Sequence, residues 1–191
     1  MKKTIGGILL LLAAFTTTKA SIIQAGPRIG VSTSRIGFDR DLKKSYDPEI
    51  GVGYQLGAVT RIALPIIYIQ PELLFSYSKA KYQSHNEQHT LSYQKIDMPM
   101  MLGLKLLGLL RVQVGPIFSL LMSAKDNDLD VTSDYNKLST GYQVGLGLDI
   151  YKFLIDLKYE GSLSKFGNKL GGVPVEHRTN LLILSVGINV L

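Results

Sequence analysis

A period of two runs through most of this chain and limits what it can fold into. From Tyr142 to Ile150 the even positions are Tyr142, Val144, Leu146, Leu148 and Ile150, and between them stand Gly141, Gln143, Gly145, Gly147 and Asp149. After Tyr151 and Lys152 the alternation resumes as Phe153, Ile155, Leu157 and Tyr159 against Leu154, Asp156, Lys158 and Glu160. Successive side chains of a strand point to opposite faces, so this pattern predicts strands with one apolar and one polar face. The same beat marks eight segments: Ala25–Phe38, Gly51–Leu64, Ile67–Tyr82, Leu91–Leu106, Leu110–Ala124, Leu138–Ile150, Phe153–Leu163 and Arg178–Leu191. The chain is predicted to be all-β.

The connections alternate in length. The first, third, fifth and seventh are polar and long ("DRDLKKSYDPEI", "QSHNEQHT", "KDNDLDVTSDYNK", "SKFGNKLGGVPVEH"), while the second, fourth and sixth are "PI", "LGL" and "YK". An eight-stranded antiparallel up-and-down transmembrane β-barrel has this rhythm, with long extracellular loops, short periplasmic turns and both termini on the short-turn side. A Greek-key sandwich gives no reason for it. Each segment reaches the roughly 9–11 residues that a tilted strand needs to cross a bilayer.

The first twenty residues read as a signal peptide. Lys2 and Lys3 precede the apolar run "IGGILLLLAAF", and Thr18 and Ala20 are small residues before a cut between Ala20 and Ser21. The barrel domain is then expected over residues 21–191. Removing Lys2, Lys3 and Lys19 lowers the formal net charge from +6 to about +3, too small a surplus to imply a nucleic-acid partner. With no cysteine, the chain has no disulfide scaffold, CxxC redox site or thiolate metal site. No other stretch approaches the length of a membrane helix.

A soluble lipocalin-like barrel shares the eight strands and the export signal, so the question is which face meets water. In the second strand one face reads Val52, Tyr54, Leu56, Ala58, Thr60, Ile62, Leu64, and the other Gly51, Gly53, Gln55, Gly57, Val59, Arg61, Ala63. Rows of glycine cover nothing on a water-facing surface and weaken the strand. Inside a narrow barrel they leave room for a few long charged side chains. The polar faces carry such charges in both signs: Arg61, Lys95, Lys105, Arg111 and Lys158 against Glu72, Asp97, Asp149, Asp156 and Glu160. These ten are expected to pair across the lumen, as buried charges must. Gln143 then faces inward, whereas Val144, Leu146, Ile155 and Leu157 meet hydrocarbon.

Aromatic residues are expected as two girdles, Tyr68, Tyr151 and Phe153 near the short turns and Phe38, Tyr54, Tyr77, Tyr93, Tyr142 and Tyr159 nearer the long loops. Pro71, Pro99 and Pro116 fall within strands, each removing a ladder donor, and predict bulges or strand ends at those points.

The segments "YIQPELLFSYS" (Tyr68–Ser78), "IDMPMMLGLK" (Ile96–Lys105), "VGPIFSLLMSAK" (Val114–Lys125), "GYQVGLGLDI" (Gly141–Ile150) and "IDLKYEGSLS" (Ile155–Ser164), in that order and spacing, resemble successive strands of the outer-membrane β-barrel domain of Bacteroidetes, the PorT-family or porin-family proteins. The resemblance covers nearly all of residues 21–191 and implies a small OmpA/OmpX-like barrel in the bacterial outer membrane. It implies no single activity. One namesake member assists a protein secretion system, a role that no motif here carries over.

The remaining motifs favour bland readings. His85, His89 and His177 fall in expected outer loops, and "HNEQH" lacks the HExxH order of a zinc site. "DNDLD" spaces Asp126, Asp128 and Asp130 like the start of a calcium loop, but Val131 and Lys137 stand where glycine and glutamate are needed. "GLGLD" leads into a strand, so it is no dinucleotide fingerprint. "RDLKK" (Arg40–Lys44) offers cations to lipopolysaccharide, or simply to water. A rim hydrolase would need a serine such as Ser84, Ser162 or Ser164 beside His177, and nothing in the sequence fixes that geometry. The reading is a monomeric, non-enzymatic outer-membrane barrel with a mostly closed ionic lumen, no cofactor and no metal. Its expected partners are outer-membrane lipid and lipopolysaccharide. The alternatives are a small passive pore, a lipid-modifying enzyme or a secretion accessory.

Overall fold

A strand that is apolar on one side only buries its polar side when neighbours close round it, and here they do. The computed structural model describes residues 22–37, 47–48, 51–84, 87–106, 108–127, 129–130, 132, 137–163 and 178–190. They form β1 (Ile23–Gly37), β2 (Asp47–Pro48), β3 (Gly51–Ala63), β4 (Ile67–Ser84), β5 (Glu87–Leu106), β6 (Leu110–Asp126), β7 (Leu129–Asp130), β8 (Leu138–Ile150), β9 (Phe153–Ser162) and β10 (Arg178–Ile188). The eight long strands pair antiparallel with their neighbours in sequence, and β1 pairs with β10 to close an eight-stranded barrel. Closure leaves no open edge, so every strand finds ladder partners on both sides without water.

Closure also fixes the stagger. One ladder row runs Lys79, Val52, Thr33, Leu182, Tyr159, Val144, Val114, Leu102 and back to β4 at Ile69, ten residues from Lys79. That offset tilts the strands and sets a lumen that side chains can fill. The whole row points outward, and apart from Lys79 and Thr33 it is apolar. Ile29, Leu56, Leu146 and Leu184 are each about half exposed in the isolated chain, as a lipid-facing belt requires. The inward face mixes glycine, polar and charged residues with buried Val59, Leu74, Met101, Ile117, Leu154 and Ile183.

Several expectations need correction. The third connection is not a long loop, because "QSHNEQHT" continues both strands as far as Ser84 opposite Glu87. Backbone pairing in a hairpin does not need an apolar face once the strands have left the membrane, so polarity alone misassigned it. His89 and Glu87 therefore lie in β5, while His85 falls outside the described residues. In the fifth connection Asp126 belongs to β6 and Asp130 to β7, which folds back so that Lys125 faces Asp130. Asn127, at φ 45°, turns this hairpin, and its side chain accepts from the Thr90 amide at 2.9 Å.

Tyr68 and Tyr93 are not girdle residues. Tyr68 is fully buried, on the same face as Gln70 and Glu72, and Tyr93 packs against Leu121 and Ala124. Strand parity outweighs nearness to a turn. Tyr54, Tyr142 and Tyr159 do lie exposed toward the long-loop end, and Tyr151 and Phe153 at the short-turn end.

The prolines cause neither bulges nor strand ends. The β3–β4 ladder skips from Val59–Glu72 to Ile62–Ile69 beside Pro71, the β4–β5 ladder from Pro71–Met100 to Leu74–Asp97 beside Pro99, and the β5–β6 ladder from Pro99–Ile117 to Leu102–Val114 beside Pro116. Register is unchanged across each gap, because a missing N–H costs one bond without displacing the chain. The one register shift in this ladder lies at Gln94/Lys95, where β6 passes from Leu121 to Ser123 and Met122 is the extra residue.

Candidate functional site

The polar face of each strand projects into the lumen, and where large charged side chains meet they must satisfy one another. The organising residue is Arg28 of β1, which is buried with a side chain reached by no solvent. Its Nη1 donates to Glu72 Oε1 on β4 at 3.1 Å and to Ser185 Oγ on β10 at 3.3 Å. Its Nη2 donates to Asp156 Oδ2 on β9 in a short contact. Lys158 Nζ on β9 meets the same Glu72 oxygen at 2.6 Å, and Gln70 Nε2 donates to it at 2.7 Å.

A second layer lies nearer the short turns. Arg111 Nε sits 2.7 Å from Asp149 Oδ1 and its Nη2 3.0 Å from Asp156 Oδ1. Arg61 Nη1 reaches Asp149 Oδ2 at 3.0 Å, and its Nε and Nη2 both donate to Gln70 Oε1 at 2.8 and 2.7 Å. Tyr68 lies between the two arginines, with their guanidinium carbons 4.7 and 5.5 Å from its ring centroid. Its hydroxyl accepts from Arg111 Nη1 at 3.1 Å and donates to Gln113 Oε1 at 3.2 Å. Gln113 in turn donates to Asp156 at 2.9 Å.

In the order around the barrel, β3 stands opposite β8 and β4 opposite β9. Arg61–Asp149 and Lys158–Glu72 are therefore bridges across the full lumen. Charges held this way repay part of their desolvation through mutual attraction and hydrogen bonds.

A smaller cluster lies toward the long-loop end. Lys95 Nζ is 3.8 Å from Asp97, Ser119 donates to Asp97, and Gln143 donates to Glu160 at 2.8 Å. Of the ten charges proposed from sequence, Arg61, Glu72, Arg111, Asp149, Asp156 and Lys158 thus meet in one network, and Lys95, Asp97 and Glu160 lie above it. Lys105 is half-buried at the short-turn end.

The sequence reading missed Arg28, although its face reads Gly26, Arg28, Gly30, Ser32, the same glycine-and-arginine pattern that singled out Arg61. It also missed Tyr68, Gln70 and Gln113, which parity with Glu72 and Arg111 would have found. The rim-enzyme candidates Ser164 and His177, and the "RDLKK" segment, lie outside the described residues.

Gly103 provides the berth for the Tyr68 ring, since a Cβ there would collide with Cζ, the hydroxyl and Cε1. Gly103→Ala is expected to cost about 1–3 kcal/mol of barrel stability through overpacking. The check is denaturant unfolding in detergent micelles followed by far-ultraviolet circular dichroism. In a Tyr68→Ala background the same change should cost little, and equal losses in both backgrounds would refute the contact.

Comparison with known proteins agrees with this geometry. Residues 17–168 match the family model described as "Outer membrane protein beta-barrel domain". No curated protein sequence matches the chain. Among solved structures it resembles Neisserial surface protein A (12% identity, 90% of this chain and 99% of that one, TM-score 0.54). It also resembles OprG of Pseudomonas aeruginosa (11%, 87% and 91%, TM-score 0.52). A third likeness is to Ail, the attachment invasion locus protein of Yersinia pestis, in its complex with the heparin analogue sucrose octasulfate (14%, 88% and 99%, TM-score 0.50). At these identities the likeness is one of fold. With the family model covering most of its length and its eight long strands closed into a barrel, the chain belongs to the outer membrane protein beta-barrel domain family.

Proposed function

We propose that this outer-membrane barrel is a closed, non-enzymatic envelope protein that acts through its outer end and not through its lumen. The observation that carries this reading is the pair of full-width bridges, Lys158–Glu72 and Arg61–Asp149, joined by Arg28 and Arg111. Side chains that bridge the barrel at both layers are expected to deny an ion a continuous aqueous path. In this reading residues 1–20 are removed on export, the mature chain is a monomer, and its kinship lies with the small porin-type and PorT-type barrels of Bacteroidetes.

The test is planar-bilayer conductance of the refolded chain 21–191, with slower gel migration after boiling as the control for a folded barrel. A folded barrel is expected to be silent. Discrete conductance steps that shift with Arg61→Ala would replace this reading with a narrow pore. That second reading draws on Asp149, whose side chain is 22% exposed at the short-turn end while its partners Arg61 and Arg111 are buried.

A further inference from the structure

Inward-facing charges in this barrel serve one another, but the outward face carries a different set. Among the outward positions of the long strands whose side chains are described, Lys79 and Lys125 carry the charges, and both are cations. They share one ladder row, with Lys79 opposite Ser92 and Ser92 opposite Lys125. Two strand spacings put their backbones about 10 Å apart with a serine between. The row beneath is Tyr77, Gln94 and Ser123, and below that begins the apolar belt at Phe75, Ile96 and Leu120, with the unpaired Met122 beside it. The ammonium of Lys79 lies 5.7 Å from the Tyr77 ring centroid, held against the barrel wall.

Lys125 reaches this face because of the bulge. On β6 the buried, inward residues are Ile117, Ser119 and Leu121, so an unbroken strand would turn Lys125 inward as well. The extra residue Met122 reverses the parity, making Ala124 the buried position and exposing Lys125. One-residue insertions re-aim side chains in this way. At comparable outward positions on other strands stand Thr33, Val52, Leu138, Thr140 and Leu182, all uncharged. β7 sets Asp130 opposite Lys125, which leaves the row with a formal charge of +1.

The geometry points to a binding site on the outer surface of β4, β5 and β6 for the phosphate group of a phosphorylated glycolipid in the outer leaflet, gripped by Lys79, Ser92 and Lys125. The match is one of charge and height. A monoanionic or dianionic phosphate sits just above its own acyl chains, and here two ammonium groups and hydroxyl and amide donors sit just above an apolar belt. The end concerned is the one opposite the short turns and both strand termini, which places it in the outer leaflet. This inference rests on the outer-membrane assignment but not on whether the lumen is closed.

The test is native mass spectrometry of the purified chain in detergent with bis-phosphorylated lipid A, and in parallel with lipid A stripped of its phosphates. The unaltered protein should retain the phosphorylated form at one per barrel and the stripped form at least tenfold less. Lys79→Gln with Lys125→Gln should lower retention of the phosphorylated form by about an order of magnitude. Lys152→Gln, at the short β8–β9 turn, should leave it unchanged. Undiminished retention in the double variant, equal retention of both lipids, or an equal loss with Lys152→Gln would each overturn the site. Both lysines are exposed, so the boiling-dependent gel shift should persist in the variants and separate loss of the site from loss of the barrel.

Discussion

Arg28→Met is expected to lower the stability of the barrel by about 3–5 kcal/mol, the loss that follows when one partner of a buried charge cluster is removed. Arg28 bonds both Glu72 and Asp156, and neither carboxylate has solvent access through its side chain. Without the guanidinium, Asp156 keeps Arg111 and Gln113, and Glu72 keeps Lys158 and Gln70. Two carboxylates would then be left short of donors in a site sealed from water. The midpoint of denaturant unfolding in micelles, read by circular dichroism, measures the loss. Adding Asp156→Asn to the same chain should recover part of it, because Arg111 keeps Asp149 and Lys158 keeps Glu72, so each remaining charge still has a partner. A loss below about 1 kcal/mol for Arg28→Met alone would show that the network relaxes around the gap and that Arg28 is not its organiser.

The same comparison explains what could be read from the sequence and what could not. The period of two assigns each face of the long strands, and that is why Arg61, Glu72, Arg111, Asp149, Asp156 and Lys158 stand out in the sequence alone. It said nothing about how residues distant in sequence meet, because Arg61–Asp149 spans 88 residues and depends on barrel closure and stagger. Arg28 escaped notice where parity alone would have exposed it. The Met122 bulge was of another kind. No local signal marks it, and it reverses the face of everything that follows on β6, Lys125 included. The β4–β5 hairpin was cut short for a related reason: "QSHNEQHT" has no apolar alternation because beyond the membrane nothing selects for one, yet its backbone still pairs.

The largest remaining effect tests which face meets lipid. Leu157 lies on the outward face of β9, two residues from Tyr159 and four from Phe153, near the middle of the belt between the two aromatic levels. Its ladder partners, Leu146 and Leu184, are outward and exposed as well. Leu157→Arg is therefore expected to cost about 2–4 kcal/mol in a lipid bilayer, the penalty for arginine near the midplane on the lipid face of a barrel. If this face were wet, as in a soluble carrier, the same substitution on an exposed strand position would fall within about 0.5 kcal/mol of neutral. Folding of the two proteins into phosphatidylcholine vesicles, titrated with denaturant, distinguishes these outcomes. The penalty should also fade as the arginine is moved toward the rim, so that Leu163→Arg, beyond the end of β9, costs about 1 kcal/mol or less. A flat profile from Leu157 to Leu163 would remove the bilayer from the explanation of the apolar belt. A graded profile would tie the belt to hydrocarbon depth and, with it, the cationic row of Lys79 and Lys125 to the level of the lipid phosphates.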